Sequence, residues 1–178
     1  GMAAITALTA QNTTGVSAIH TPSADFVTEQ IRMVFADIRV DAVKIGMIAN
    51  AEIAEAVAIT LRKVKAKNIV LDPVMIAKGG SPLLTKEAMG CMRDMLVPLA
   101  DILTPNLPEA AALLGETEAR NREDMLCQAK ALNGLGARNI YLKGGHFKSD
   151  ESPDLLLTPE ADHWLESRRI NTKNTHGT

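Results

Sequence analysis

The sequence predicts a layered α/β/α domain whose central sheet is mostly parallel and carries antiparallel strands at one edge. Short apolar runs alternate with amphipathic stretches of helical period, the pattern of strands joined by crossover helices. Aromatic residues make up only 3% of the chain, so the core must be aliphatic. Near the C-terminus the alternation ends in two strand patterns, Leu155–Leu157 and His163–Leu165, which we expect to pair antiparallel. All 178 residues fit one domain.

The N-terminal part predicts a strand, a polar loop, a second strand and a helix. Residues 3–9 are apolar and compatible with a strand, and the polar loop Ala10–Gly15 separates them from a second extended run, Val16–Ile19. From Ser23 to about Asp37 apolar residues recur every three to four positions, as on a helix that packs against a sheet.

The middle of the chain predicts two further strands and two helices. A short strand is expected in Asp41–Met47, followed by a helix that Asn50 caps. Asn68–Leu71 forms the next strand and ends at the turn-forming pair Asp72-Pro73. Thr85 is expected to cap a helix that runs to about Val97.

The last third continues the alternation. Its expected elements are a strand at Asp101–Leu103, a helix from Asn106 to about Gly115, a helix that begins at Asn121 and a strand at Asn139–Leu142.

The net charge indicates the kind of partner, and the cysteines indicate the cellular compartment. A formal net charge of −2 with mixed signs gives no basic surface for nucleic acid or an anionic membrane, so we expect a small-molecule partner. Cys91 and Cys127 lie in separate helical patterns and are expected to be free thiols in the cytoplasm. The sequence has no apolar run of about 18 residues that would span a membrane.

Polar or glycine-rich segments follow three predicted strands, as expected of a ligand cleft in an open parallel sheet. Asp72 follows one strand, where it either terminates the strand or points into the cleft. Lys143-Gly144-Gly145-His146 is either a solvated glycine turn or a lysine with flexible backbone beside phosphate oxygens. Asn106 and Glu109 have the spacing of a capping box, yet a carboxylate there could also hold hydrated Mg²⁺ over phosphates.

Three other segments carry weaker signals. His176-Gly177-Thr178 offers amides and a hydroxyl to an anion, or is a polar tail. Gln11 could bind a heterocyclic edge through its amide, or be an ordinary loop residue. Met47 and Val74 lie at strand ends, where core packing is the more common role. The phosphate loop GxxxxGK[ST] and the dinucleotide motif GxGxxG are both absent from the sequence.

Six segments occur along the whole chain in a recognisable order. They are TALTAQNT (6–13), KIGM (44–47), DPVM (72–75), TPNLPEA (104–110), KGGH (143–146) and NTKNTHGT (171–178). Together they resemble the bacterial hydroxymethylpyrimidine/phosphomethylpyrimidine kinase family of thiamine biosynthesis, within the ribokinase-like superfamily.

The resemblance implies ATP-dependent phosphorylation of 4-amino-5-hydroxymethyl-2-methylpyrimidine at its hydroxymethyl oxygen, and then of the monophosphate to the diphosphate. It implies ATP and Mg²⁺ as cofactors and, by family analogy, a homodimer. Its implied site residues are Gln11, Met47 and Val74 for the pyrimidine, Asp72 and Glu109 for the metal, Asp72, Asn106, Glu109 and Lys143 for ATP, and His176, Gly177 and Thr178 for the start of the anion hole.

The resemblance also implies segments beyond both ends of this sequence. Family members carry an earlier strand with a Gly-Ser-Asp segment, and their anion hole continues as Gly-Thr-Gly-Cys, whose cysteine is the expected general base. We therefore expect residues 1–178 to represent a single ribokinase-like domain without these two parts. Two alternatives stay open: a pyridoxal kinase of the same superfamily, and a catalytically silent ligand-binding fragment.

Overall fold

A six-stranded mixed sheet with the strand order β3-β4-β5-β6-β7-β8 organises the computed structural model, which describes residues 1–12, 15–75, 85–145 and 152–166. Strands β3 to β6 are parallel, and β7 and β8 continue the sheet antiparallel. The six strands are β3 (Val43–Ile45), β4 (Ile69–Leu71), β5 (Ile102–Leu103), β6 (Asn139–Leu142), β7 (Asp154–Leu157) and β8 (Asp162–Leu165). The predicted α/β architecture, with its antiparallel edge, is confirmed.

The N-terminal strands form a separate antiparallel hairpin, β1 (Leu8–Asn12) with β2 (Gly15–His20). The second predicted strand, Val16–Ile19, is confirmed within β2, but the bounds of the first were wrong, because residues 1–7 are not in a strand and β1 extends into the expected loop. A side chain of the first helix explains the difference. Ile5 N–H donates to Gln30 Oε1 at 2.9 Å and Gln30 Nε2 donates to the Ile5 carbonyl at 3.1 Å, so both backbone groups are satisfied without a strand partner.

Within the described ranges, five α-helices connect and cover the strands, and a polar side chain caps each of them. Each cap oxygen accepts a hydrogen bond from the backbone N–H three residues later, which satisfies one of the open donors of the first turn. None of the described helices has the length and apolar character required to cross a membrane. The helices and their caps are α1 (Ala24–Asp37, Ser23), α2 (Ala51–Lys63, Asn50), α3 (Lys86–Cys91, Thr85), α4 (Leu107–Leu114, Asn106) and α5 (Arg122–Gly134, Asn121).

The helix expected from Thr85 to Val97 is not continuous. Regular α-helix ends at Cys91 and is followed by a π-helical turn, Met92–Leu96, and a 3₁₀ turn, Val97–Leu99. Pro98 lies in that last turn, and proline has no N–H to continue an α-helical ladder. The sequence predicted the Thr85 cap correctly but could not show the change in helical pitch.

The core is aliphatic, as the composition predicted. Its largest fully buried side chains come from both the sheet and the covering helices, so the strands carry apolar residues into the middle layer. They are Ile48, Ile53, Leu71, Met92, Leu96, Leu103, Leu107, Leu113, Met125, Leu132, Ile140 and Leu142.

Gly136, between α5 and β6, is a position where only glycine fits. Its φ is +113°, and an added Cβ would lie 3.1 Å from Pro98 Cα. We expect Gly136→Ala to lower the free energy of unfolding by about 1–3 kcal/mol. The matched control is Gly134→Ala in α5, where an added Cβ meets no heavy atom within 4 Å and helix propensity favours alanine. Equal urea midpoints for the two variants would contradict the expectation.

Candidate active site

The carboxyl ends of the parallel strands bring Asp72, Asn106 and Lys143 to one edge of the sheet. Asp72 directly follows β4, and its N–H donates to the carbonyl of Ile45 in β3 at 2.8 Å. Lys143 directly follows β6, and its N–H donates to the Pro105 carbonyl at 2.9 Å. Asn106 and Lys143 form an isolated parallel bridge, so the backbone pairing extends past the regular strands and fixes these positions relative to one another.

Asp72 is paired with two lysines. Lys143 Nζ lies 3.1 Å from Asp72 Oδ1, and Lys44 Nζ lies 3.3 Å from Asp72 Oδ2. The Asp72 side chain is 22% exposed, against 38% for Lys143 and 68% for Lys44, so the carboxylate is more sheltered than either ammonium. Partial burial raises the pKa of Asp72, but the two ammonium groups outweigh burial and hold it below its ordinary value of 3.8. Asp72 is therefore ionised at neutral pH.

Glu109 combines a structural contact with an unusual electrostatic environment. Its Oε2 accepts from Asn106 N–H at 2.8 Å while its own N–H donates to Asn106 Oδ1 at 2.8 Å, which is a complete capping box. Glu109 is only 6% exposed. Burial raises its pKa above 4.5 and the charge of Asp72 adds to the rise, although the amides of Asn106 and Met75 and the charge of Lys143 oppose it. Capping is thus confirmed, and the carboxylate also lies within the field of Asp72 and Lys143.

Sequence reasoning missed Lys44. It lies in β3, one residue before the Ile45 carbonyl that receives the Asp72 N–H. The lysine belongs to the KIGM segment, but that segment was interpreted only through Met47. The available signal was the sheet itself: a lysine near the carboxyl end of a neighbouring parallel strand lies at the same edge as Asp72.

The residues expected to bind the pyrimidine are not joined in one described contact network. Gln11 lies in β1 rather than in a loop, is exposed, and accepts from Thr9 Oγ1 at 3.2 Å. Met47 follows β3 and is partly buried, and its carbonyl accepts from Thr6 Oγ1 at 2.6 Å. Val74 is also partly buried and lies two residues after Asp72, whose carbonyl accepts from Val74 N–H at 2.8 Å. Met47 and Val74 therefore follow adjacent strands, whereas Gln11 belongs to the hairpin.

The expected start of the anion hole lies outside the described residues. This applies to His176, Gly177 and Thr178, and also to His146 of the KGGH segment. Their roles remain predictions from the sequence.

Asp72, its partners Lys44 and Lys143, and Glu109 form what we call the Asp72 cluster. A cavity of about 550 Å³ lies beside β3 rather than over this cluster. It is lined by the N-terminal segment, by one face of α1 and by residues 40–46, with apolar side chains in the majority. It reaches Lys44 and Gly46 but not Asp72, Glu109 or Lys143. The ion-paired residues Asp72 and Lys143 thus lie outside the cavity, and Lys44 is common to the cavity wall and the ion pairs.

The carboxylates of the cluster suit a hard divalent cation. Mg²⁺ is commonly held by one or two carboxylates together with waters and substrate phosphates. Asp72 and Glu109 could provide these carboxylates, and they are near enough for the charge of Asp72 to affect the pKa of Glu109. The described residues contain no group of three or more His, Cys, Asp or Glu side chains that could hold a metal by themselves. The donor set therefore fits a metal that arrives with phosphates.

Comparison with known proteins identifies the family. The family model of phosphomethylpyrimidine kinase matches residues 1–178. The hydroxymethylpyrimidine/phosphomethylpyrimidine kinase of Salmonella typhimurium is 48% identical over 178 residues, which cover 100% of this chain and 67% of that protein. The chain thus spans about two thirds of the length of this relative.

Two solved structures share the fold. The phosphomethylpyrimidine kinase of Clostridium difficile has a TM-score of 0.87 at 40% identity, over 94% of this chain and 71% of that one. An ADP complex of Bacillus subtilis pyridoxal kinase has a TM-score of 0.89 at 36% identity, over 99% and 67%. With the family model matching every residue and the sheet-edge cluster formed by three of the motifs, this chain belongs to the phosphomethylpyrimidine kinase family.

Proposed function

We propose that this chain belongs to an ATP-dependent kinase that phosphorylates 4-amino-5-hydroxymethyl-2-methylpyrimidine and then its monophosphate to the diphosphate, in thiamine biosynthesis. The observation that carries the proposal is the Asp72 cluster. Ion pairs join Lys44, Asp72 and Lys143 at one edge of the sheet, in a chain that matches the family along its whole length. Glu109, in the first turn of α4, lies within the field of Asp72 and Lys143.

The reaction needs positioning and charge neutralisation more than covalent chemistry. The hydroxymethyl oxygen forms a bond to the terminal phosphorus of ATP, the bond from that phosphorus to the bridging oxygen breaks, ADP leaves, and a base accepts the hydroxyl proton. Lys143 and Lys44 carry the positive charge that can face the transferred phosphoryl oxygens. Asp72 holds both ammonium groups in place before the nucleotide arrives.

Mg²⁺ belongs to the proposal as a companion of ATP. Asp72 and Glu109 would hold it, and it would neutralise charge on the phosphates. Asn106 orients Glu109 through the capping box, so its contribution to the nucleotide site is indirect. His176, Gly177 and Thr178 are proposed to begin the anion hole.

Gln11 is proposed to bind the aminopyrimidine, with Met47 and Val74 beside it. Gln11→Ala is expected to raise the KM for the pyrimidine about tenfold and to leave the KM for ATP unchanged, since one lost hydrogen-bonding side chain removes roughly 1–1.5 kcal/mol of binding. Steady-state kinetics of the whole enzyme measure both constants. Ser17→Ala, on the paired strand of the same hairpin, is the control, and an unchanged pyrimidine KM in Gln11→Ala would remove Gln11 from the site.

Pyridoxal kinase is the second candidate, and the structural match to the Bacillus subtilis pyridoxal kinase favours it. Both substrates present a hydroxymethyl group on a heteroaromatic ring. The protein would be incubated with ATP, Mg²⁺ and either alcohol, and ADP formation measured. Turnover of pyridoxal without turnover of the pyrimidine would overturn the first choice, and no turnover of either would favour a silent ligand-binding role.

Assembly and location complete the proposal. We propose a cytoplasmic homodimer that binds neither nucleic acid nor membrane, in line with the mixed charge and a net charge of −2. Light scattering coupled to gel filtration measures the assembly, and a monomer at micromolar concentration would contradict this part.

A further inference from the structure

We propose that Asp154 is a positioning residue that holds the glycine turn after Lys143 in the shape that receives the phosphates of ATP. This inference rests on the proposed kinase function and adds a residue to it. Asp154 is the first residue of β7 and lies outside all six motif segments.

Both carboxylate oxygens of Asp154 are engaged by the end of β6. Gly144 N–H donates to Oδ1 at 2.8 Å, and the Tyr141 hydroxyl donates to Oδ2 at 2.8 Å. The register explains this reach, because Leu142 pairs with Leu155 and the next position outward sets Lys143 across from Asp154. Asp154 therefore binds one residue of β6, Tyr141, and one residue of the turn that follows β6, Gly144.

The Asp154 contact stabilises a turn whose backbone contains two glycines. The β6 ladder ends at Leu142, and Gly144 and Gly145 lack the side chains that restrict backbone dihedrals. Lys143 N–H is fixed to Pro105 on the β5 side, and Gly144 N–H is fixed to Asp154 on the β7 side. These two anchors hold the peptide that follows Lys143, and a hydrogen bond to a carboxylate is stronger than one to a neutral acceptor.

Tyr141 keeps Asp154 in this orientation. Burial raises the pKa of Tyr141 to about 12, and the hydrogen bond to the Asp154 carboxylate adds to the rise. The hydroxyl therefore stays protonated across the neutral range and remains a donor to Oδ2. This leaves Oδ1 directed to Gly144.

The test is the affinity for AMP-PCP, an unreactive ATP analogue, measured by calorimetry in the presence of Mg²⁺. Asp154→Ala is expected to weaken AMP-PCP binding about tenfold and to raise the KM for ATP by the same factor, with the KM for the pyrimidine unchanged. A merely structural role would lower the fraction of folded enzyme, and hence the apparent kcat, without changing either KM.

Two further variants keep the test decisive. Asp154→Asn retains an acceptor for Gly144 without the charge and is expected to weaken AMP-PCP binding about threefold, so it decides the question if Asp154→Ala does not fold. Asp162→Ala, on the exposed face of the same β7–β8 hairpin, is expected to bind as the wild type does.

The outcomes distinguish a failure of the proposed role of Asp154 from a failure of the proposed kinase function. A wild-type protein that binds no AMP-PCP overturns the proposed kinase function and the role of Asp154 with it. A wild type that binds AMP-PCP while Asp154→Asn and Asp154→Ala bind equally well overturns only the role of Asp154.

Discussion

Asp72→Asn is expected to reduce kcat by about 10²–10³, the largest single effect in the described site. The amide keeps the size of the side chain but removes the negative charge between Lys44 and Lys143. Without that charge the two ammonium groups repel each other and lose their fixed positions. The substitution also removes an oxygen ligand that Mg²⁺ prefers.

Activity and stability of Asp72→Asn are measured together, by coupled ADP release and by urea unfolding. The lowered pKa of Asp72 stabilises the folded state above its ordinary value of 3.8, and that stabilisation is lost as the pH falls through the lowered pKa. We therefore expect the free energy of unfolding of the variant to fall less steeply than that of the wild type as the pH is lowered through this range. Asp41→Asn is the control, because Asp41 forms a solvent-exposed ion pair with Arg39 at 2.7 Å. Retention of more than about a tenth of wild-type kcat in Asp72→Asn would exclude a central role.

Glu109→Gln is expected to separate capping from chemistry. Glutamine keeps an oxygen that accepts from Asn106 N–H, so the capping box survives. The charge beside Asp72 and Lys143 is lost, and we expect kcat to fall about 100-fold. At neutral pH we expect the free energy of unfolding to stay the same or rise, because a buried carboxylate with a raised pKa is ionised there at a cost.

The pH dependence of stability gives an independent measurement of Glu109. A raised folded-state pKa means that the folded protein binds the proton more tightly than the unfolded chain does. This contribution to stability is present below the ordinary value of 4.5 and is lost as the pH rises towards the raised pKa. Wild type should lose stability across that window, and Glu109→Gln should lose less.

A cap without a catalytic role supplies the control for Glu109. Asn121→Ala removes the cap oxygen of α5 and should lower stability by about 1 kcal/mol without changing kcat. If Glu109→Gln instead lowered stability and kept full activity, Glu109 would be a capping residue alone.

Sequence patterns were sufficient to predict the features that depend only on residues a few positions apart. The caps Asn50, Thr85 and Asn106 were predicted from residue type and spacing, since a cap involves only the next three residues. The parallel strands and the antiparallel edge were predicted in the same way, from alternating periods. The strand ends then indicated that Asp72 and Lys143 would share one edge of the sheet, and the structure places them 3.1 Å apart.

Contacts between distant segments were beyond such patterns. Nothing near residue 5 shows that Gln30 would satisfy the backbone of Ile5, so the first strand was predicted too early. Nothing in β3 by itself shows that Lys44 would reach Asp72, because that contact depends on which strand lies beside β4. Asp154 was missed for the same reason, since its partners depend on the antiparallel register of β6 and β7.

The amino-acid sequence alone determined the layered α/β class, the helix caps and the strand ends that carry charge, because each depends on neighbours a few positions away. The tertiary structure decided which of these charges meet. Hydrogen-bonded strand order and register set the separation of Asp72 from Lys44 and Lys143, and burial in the assembled core shifted the pKa of Glu109. Both effects arise only when segments far apart in the chain pack together, which fixes the distances between the charges and removes water from around Glu109.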